Sequence, residues 1–274
     1  MKKLFLLVFA FAVVLTACDK DDDDNGKKPG PNGDPGSTLN PEQKQWGLVI
    51  NYTAKWCGPC GSWGSPLLKQ LAELNGGRVL AIAPHASNDP MHVASIYNGF
   101  RADRITGGGI PSFWVGDNKV TSQNASSTMN TLTGRTPIAA IDMEVKKDTE
   151  HFDVNARVKF FENATGDFYL SFYILEDGIP GGPGSGDYTQ SGVSDPNYTH
   201  DYVPRKSYTQ EVYGQSLASN PSADDVFDTE FEFTFDASWT NTVYVGAAIW
   251  RYNPNGNPNN EEPHYEFING FVVK

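Results

Sequence analysis

The spacing of hydrophobic residues changes several times along the chain. Residues 4–15 are almost continuously apolar, whereas residues 18–40 contain almost no apolar side chain. A short β-prone run follows at 47–53, Gly-Leu-Val-Ile-Asn-Tyr-Thr. Trp63, Leu67, Leu71 and Leu74, with Leu68 beside them, then recur at three and four residues and predict one apolar helical stripe. Residues 79–83 read as a second strand and about 90–100 as a helix. Residues 113–115 and 119–121 flank Gly116-Asp117-Asn118 as a hairpin, and 125–132 form a last helix. From about Ile138 the period becomes two: Phe152, Val154, Ala156, Val158 and Phe160; then Phe168, Leu170, Phe172 and Ile174; then Phe231, Phe233 and Phe235. With 139–145, 243–250 and 265–273 the count reaches six or seven strands. That predicts an antiparallel β-sandwich, with an open barrel as the main alternative.

Composition narrows the classes. The chain has 274 residues with 33 acidic against 21 basic side chains, a net charge of -12. Such a balance disfavours a grip on nucleic-acid phosphates, so no nucleic-acid partner is expected. Gly 27 and Pro 18 call for long loops, and three cysteines exclude a disulfide-stapled miniprotein.

The first segment is an address. Lys2 and Lys3 precede an apolar run too short for a comfortable membrane span, which marks a signal peptide over 1–17. It ends in Leu15-Thr16-Ala17-Cys18, which resembles a bacterial lipobox and makes Cys18 the lipidated mature N-terminus; the alternative is an ordinary secretory signal with an incidental cysteine. Residues 18–40 are expected to be a tether of about 22 residues reaching on the order of 25 Å, because they cannot bury enough surface to offset their ordering entropy. Its acidic start, Asp19-Lys20-Asp21-Asp22-Asp23-Asp24, resembles the export signal of surface lipoproteins of the Bacteroidota. The expected membrane contact is therefore the lipid alone, on the outer membrane, with surface exposure on its outer face as the further expectation.

Chemistry concentrates in Ala54-Lys55-Trp56-Cys57-Gly58-Pro59-Cys60, where a buried strand turns into a helix. Amides and the dipole at a helix start favour a thiolate, so Cys57 can attack near neutral pH. Gly58 permits the tight turn, Pro59 preorganises the first helical turn, and two intervening residues let Cys60 resolve a mixed disulfide. Zinc would need further ligands, and only His85 and His92 lie nearby; a never-reduced structural disulfide is the more serious alternative. This chemistry needs no cofactor.

Trp-Cys-Gly-Pro-Cys after a buried strand resembles the active-site motif of the thioredoxin superfamily, over about residues 41–136. Gly107-Gly108-Gly109-Ile110-Pro111-Ser112-Phe113 is similar to that family's cis-proline loop. The resemblance implies that Ile110 and Pro111, with Trp56, Gly58 and Pro59, line a groove for extended substrate. The chain departs from the family at Asn51, where a buried Asp usually helps the second cysteine, and at Pro66, one residue later than the usual helix-kinking proline. Lys55 adds a positive charge beside the motif.

The expected organisation is thus an α/β thioredoxin-like domain at 41–136 followed by an all-β domain, an antiparallel β-sandwich, at 137–274. Between Asp177 and Asp224 the period is lost and Tyr188, Tyr198, Tyr202, Tyr208 and Tyr213 appear. Loops of 178–223 are candidates for a protein or glycan partner. His200, Asp201 and Arg205 form a weak polar cluster, and the polar segment 253–262 lacks a calcium-loop register. The arrangement, with Asp177-Gly178 and Tyr202-Val203-Pro204-Arg205, resembles the outer-membrane-protein-28-related lipoproteins of the Bacteroidota. The leading expectation is a lipid-anchored thiol-disulfide oxidoreductase acting on protein disulfides or thiols. The alternative is a surface binding or adhesion lipoprotein whose thioredoxin-like part is scaffold.

Overall fold

A computed structural model describes residues 37–148, 151–209 and 211–274, so the predicted signal peptide, Cys18 and most of the tether lie outside the described residues. Residues 37–40, expected as the end of the tether, lie against the chain: the Asn40 amide donates to Asp142 at 2.7 Å, and Arg157 donates to the Leu39 carbonyl at 3.3 Å. Strand β1 (Gly47–Tyr52) is buried along its whole length. It runs parallel to β2 (Val79–Ile82) and antiparallel to β3 (Ser112–Val115), which turns through Gly116 and Asp117 into β4 (Asn118–Val120), giving the order β2-β1-β3-β4. A two-residue turn suits Gly116, whose φ is +56°.

Helices α1 (Ser65–Glu73), α2 (Ala94–Asp103) and α3 (Ala125–Thr133) complete this half. The stripe predicted on the first helix is corrected at its start. Leu68 and Leu71 are buried, but Trp63 is 42% exposed, because residues Cys60–Gly64 form a π-helical turn in which the Ser65 amide reaches back to the Cys60 carbonyl. One extra residue in a turn rotates what precedes it by about 100°. The same turn accommodates Pro66, which falls in the first turn of α1, where a missing N–H leaves no bond unmade.

The second half is built from β5 (Ala139–Lys147), β6 (His151–Phe160), β7 (Asp167–Asp177), β8 (Ile179–Pro180), β9 (Thr199–His200), β10 (Val203–Ser207), β11 (Gln215–Ser219), β12 (Val226–Thr234), β13 (Thr242–Tyr252) and β14 (Tyr265–Val273). Antiparallel pairing gives a sheet β12-β6-β5 and a sheet β10-β7-β13-β14, with β11 also paired to β7; β8 and β9 pair alone. Period two along β7 and β13 sends alternate residues to opposite sides. Phe168, Leu170, Phe172 and Ile174 share a core with Phe152, Val154 and Phe231 of the smaller sheet. Tyr173, Leu175, Tyr244, Ala248 and Trp250 instead share a core with Leu80, Phe100 and Trp114 of the first half. The β7-β13 ladder is therefore a middle layer, covered on both faces. Trp250, Tyr173 and Phe100 are fully buried, and burying each contributes on the order of 2 kcal/mol before side-chain entropy is subtracted.

Two polar side chains lock this seam. Arg104 is fully buried and directs its guanidinium at five groups: Gly116 O at 3.3 Å, Asp103 at 3.3 Å, Tyr213 OH at 3.0 Å, Asp117 at 2.7 Å and Tyr265 O at 2.7 Å. Burial works against its charge, but Tyr213, Asp117 and Asp103 more than offset that and keep it protonated. Asn269 donates to the Lys44 and Ala139 carbonyls and accepts from the Trp46 amide, joining the lead-in to β1 with β5 and β14.

Candidate active site

Strand β1 ends at Tyr52, and the chain folds over at Ala54, whose carbonyl accepts the Cys57 amide at 3.1 Å. Cys57 and Cys60 are joined as a disulfide at the start of the helical turn. Cys57 is 6% exposed and Cys60 1%, so an approaching group meets Cys57 first. The Cys60 amide points at Cys57 Sγ from 3.2 Å, and the Cys60 and Gly61 amides both donate to the Cys57 carbonyl. That geometry stabilises a thiolate on Cys57 once the bond is reduced. Opposite, Cys57 Sγ lies 3.5 Å from the Ile110 carbonyl, and the Ile110–Pro111 peptide is cis. Ala54, Ala86, Tyr97 and Ile110 pack round the pair. Gly58 and Pro59 form the turn, Pro59 with φ -59°. Asn51, in β1, is buried and its side-chain oxygen has no hydrogen-bond partner among the described residues.

The neighbouring loop is fixed by Asp89. Its carboxylate accepts the Lys55 amide at 2.6 Å, His85 Nδ1–H at 2.8 Å and the Met91 amide at 2.9 Å. Burial would raise this carboxyl, but the His85 hydrogen bond and charge and the two amides hold it at about 2. Lys55 does not lie free beside the thiol; its ammonium donates to the Asp187 carbonyl.

Asp187 belongs to a strap, residues 181–200, which the second half lays across the dithiol turn. The Ser191 amide donates to the Lys55 carbonyl at 2.6 Å, and buried Gln190 donates to the Cys57 carbonyl at 2.9 Å. Contact is backbone to backbone: a Cβ on Gly192 would sit 2.4 Å from the Gly58 carbonyl, and one on Gly61 2.5 Å from the Ser191 carbonyl. His200 anchors the strap by donating from Nε2 to the Tyr188 carbonyl at 2.8 Å, with its ring against His85. Burial and the His85 charge lower the His200 pKa to about 4.

Parts of the segment 178–223 thus meet the protein's own dithiol turn and core. Tyr213 stacks on Tyr265, Tyr208 packs on Phe231, Tyr198 lies against His200, and Tyr202 lies below the Lys274 ammonium. His200, Asp201 and Arg205 do not converge: Asp201 pairs with Lys69 and Arg205 with Glu176. In segment 253–262, Asn253 accepts the Asn255 amide and Glu261 pairs with Lys119. Among the described residues, no group of three or more metal-ligating side chains comes together and no helix is long and apolar enough to cross a membrane. Trp56, Trp63 and Tyr188 are the exposed large hydrophobic residues among those described. Trp56 adjoins Cys57 in sequence, Trp63 stacks on Phe113 two residues past Pro111, and Tyr188 lies on the strap.

No protein-family model and no curated protein matches the chain. Among solved structures it is similar to HBP35 of Porphyromonas gingivalis, with a TM-score of 0.66 and 18% identity, over 85% of this chain and 76% of that one. Together with the strand-dithiol-helix order, the β2-β1-β3-β4 sheet and the cis Ile110–Pro111 bond, the likeness shows a thioredoxin-like fold joined to a β-rich half.

Proposed function

We propose that this chain is a thiol-disulfide oxidoreductase of the bacterial cell envelope, held by a lipid on Cys18 and acting on protein disulfides or thiols. The Cys60 amide on Cys57 Sγ at 3.2 Å, facing the Ile110 carbonyl, carries this reading. In the reducing direction, the Cys57 thiolate attacks one sulfur of a substrate disulfide and the other sulfur leaves as a thiolate. Cys60, as a thiolate, then attacks Cys57 Sγ; the second substrate sulfur leaves, the substrate has gained two electrons, and the Cys57–Cys60 bond has formed. The reverse sequence oxidises a substrate dithiol. Trp56, Trp63 and Tyr188 offer apolar contact to the polypeptide round the reacting sulfurs, and Ile110 and Pro111 its backbone partner.

The lipid anchor and outer-membrane location rest on residues 15–24, and kinship with the outer-membrane-protein-28-related lipoproteins rests on architecture. A β-sandwich reading of the second half is supported by the core its two sheets share. The competing reading, an inert disulfide in a surface-binding lipoprotein, draws on the 6% exposure of Cys57. Glutathione-buffered alkylation of the full-length chain separates the two. A reversible potential between about -270 and -120 mV supports the oxidoreductase, whereas a pair that stays oxidised below about -300 mV refutes it. Cys60→Ser is expected to trap mixed disulfides through Cys57 in cells.

A further inference from the structure

Gln190 reaches into the dithiol turn from the second half. It is 2% exposed, and its amide nitrogen lies 2.9 Å from the Cys57 carbonyl, 3.3 Å from the Ala54 carbonyl and 3.1 Å from that of Ser191. The first two carbonyls bracket the turn. Ala54 O accepts the Cys57 amide, and Cys57 O accepts the amides of Cys60 and Gly61. A donor placed on both fixes the Ala54–Lys55 and Cys57–Gly58 peptide planes, and the Cys57 carbonyl so held is itself an acceptor of the Cys60 amide that points at the sulfur. The strap holds Gln190 there by main-chain bonds, its own amide to Gly181 O at 2.8 Å and that of Ser191 to Lys55 O at 2.6 Å. The strap's own fold does not account for a buried amide at this position, since two of the three acceptors belong to the other half.

We propose that Gln190 is a positioning residue of the redox site: by pinning the Ala54 and Cys57 carbonyls it holds the Cys60 amide on Cys57 Sγ, so that the second half sets the poise of the pair. This rests on the oxidoreductase reading and deepens it. The thiolate is the form that the Cys60 amide favours, so a loosened turn weakens the reduced state relative to the disulfide.

Gln190→Met keeps the length of the side chain and removes its donors; Gln190→Asn keeps the amide and withdraws it by one methylene. In the full-length chain, the pH profile of Cys57 alkylation and the equilibrium with glutathione are measured, with thermal unfolding alongside. In Gln190→Met the alkylation rate near pH 7 is expected to fall and the equilibrium constant for forming the disulfide to rise, each by about fivefold to tenfold; tenfold in the equilibrium is about 30 mV more negative. Gln190→Asn is expected to move both values the same way by less, and exposed Ser194→Ala neither. Should Gln190→Met not fold, Gln190→Asn decides. A wild-type potential and thiol profile in the folded variants, with only a lower melting temperature, would make Gln190 structural and overturn the inference while leaving the oxidoreductase reading standing. A wild-type pair that does not cycle would remove that reading and this inference with it.

Discussion

Replacing Arg104 by Met tests whether the two halves are one folding unit. The stem of Met fits the space of the arginine stem, so the perturbation is the loss of the guanidinium. The carboxylates are not wholly stripped: Asp103 retains the amides of His264 at 2.6 Å and Tyr265 at 3.0 Å, and Asp117 that of Phe267 at 2.8 Å. What is stripped is the Gly116 carbonyl, the Tyr265 carbonyl and the Tyr213 hydroxyl, at about 1 kcal/mol each. Asp117, which burial already pushes upward, also loses its counter-charge. The sum is about 4 kcal/mol, within the range for breaking a buried ion pair. For a chain of this size that is roughly 8–16 °C in melting temperature. Urea and thermal unfolding measure it, and a single transition is expected before and after the change. The deficit has a pH signature. A carboxyl whose folded pKa is raised adds stability below its unfolded value and loses it as pH rises through the folded value, so the variant is expected to recover part of its loss below about pH 4. A loss under about 1 kcal/mol, or two separated transitions, would refute the reasoning.

Three further outcomes are expected. His200 has its pKa lowered to about 4 from 6.5, so the unfolded chain binds more protons between those values and stability falls as pH drops through that window; in His200→Gln, which keeps a donor for the Tyr188 carbonyl, the slope of urea midpoint against pH there should flatten. Gly192→Ala places a Cβ 2.4 Å from the Gly58 carbonyl at φ +79°, so the strap should lift, stability fall by about 1–3 kcal/mol and limited proteolysis cut within 181–200. Tyr188→Ala, at an exposed position, should leave the melting temperature unchanged and lower kcat/KM about threefold on a protein disulfide but not on a small-molecule disulfide; equal effects on both would refute the proposed contact of Tyr188 with the substrate polypeptide.

The parts of the site that depend on neighbours in sequence were legible. The apolar run of β1, the dithiol turn and the period-two strands are local patterns, and each lies within a few residues of where the spacing put it. The helix expected from about residue 90 begins at Ala94, because Asp89 turns the chain first by accepting the Met91 amide and through its own carbonyl the His92 amide. Trp63 was misread because a π turn leaves no mark in spacing. The segment after Asp177 lost its period because β8 and β9 are two residues each, too short to alternate, and β10 and β11 are each broken by a register shift. Nothing local marked Gln190, Arg104 and Asn269 as joints between the halves, since the Cys57, Tyr213 and Lys44 groups they meet lie 133, 109 and 225 residues away. Gly192 serves a close approach of two backbones, a role set by Gly58 far away in sequence.

The doubly covered β7-β13 ladder bears on how this chain can be handled. Cutting it near residue 137 would not release two soluble pieces. The first would bare the side chains that meet Trp250 and Tyr173, the second would bare those tyrosine and tryptophan rings, and both are expected to aggregate. By the same token the amides of these two strands should be the last to exchange with heavy water, because opening them requires undoing cores on both sides at once.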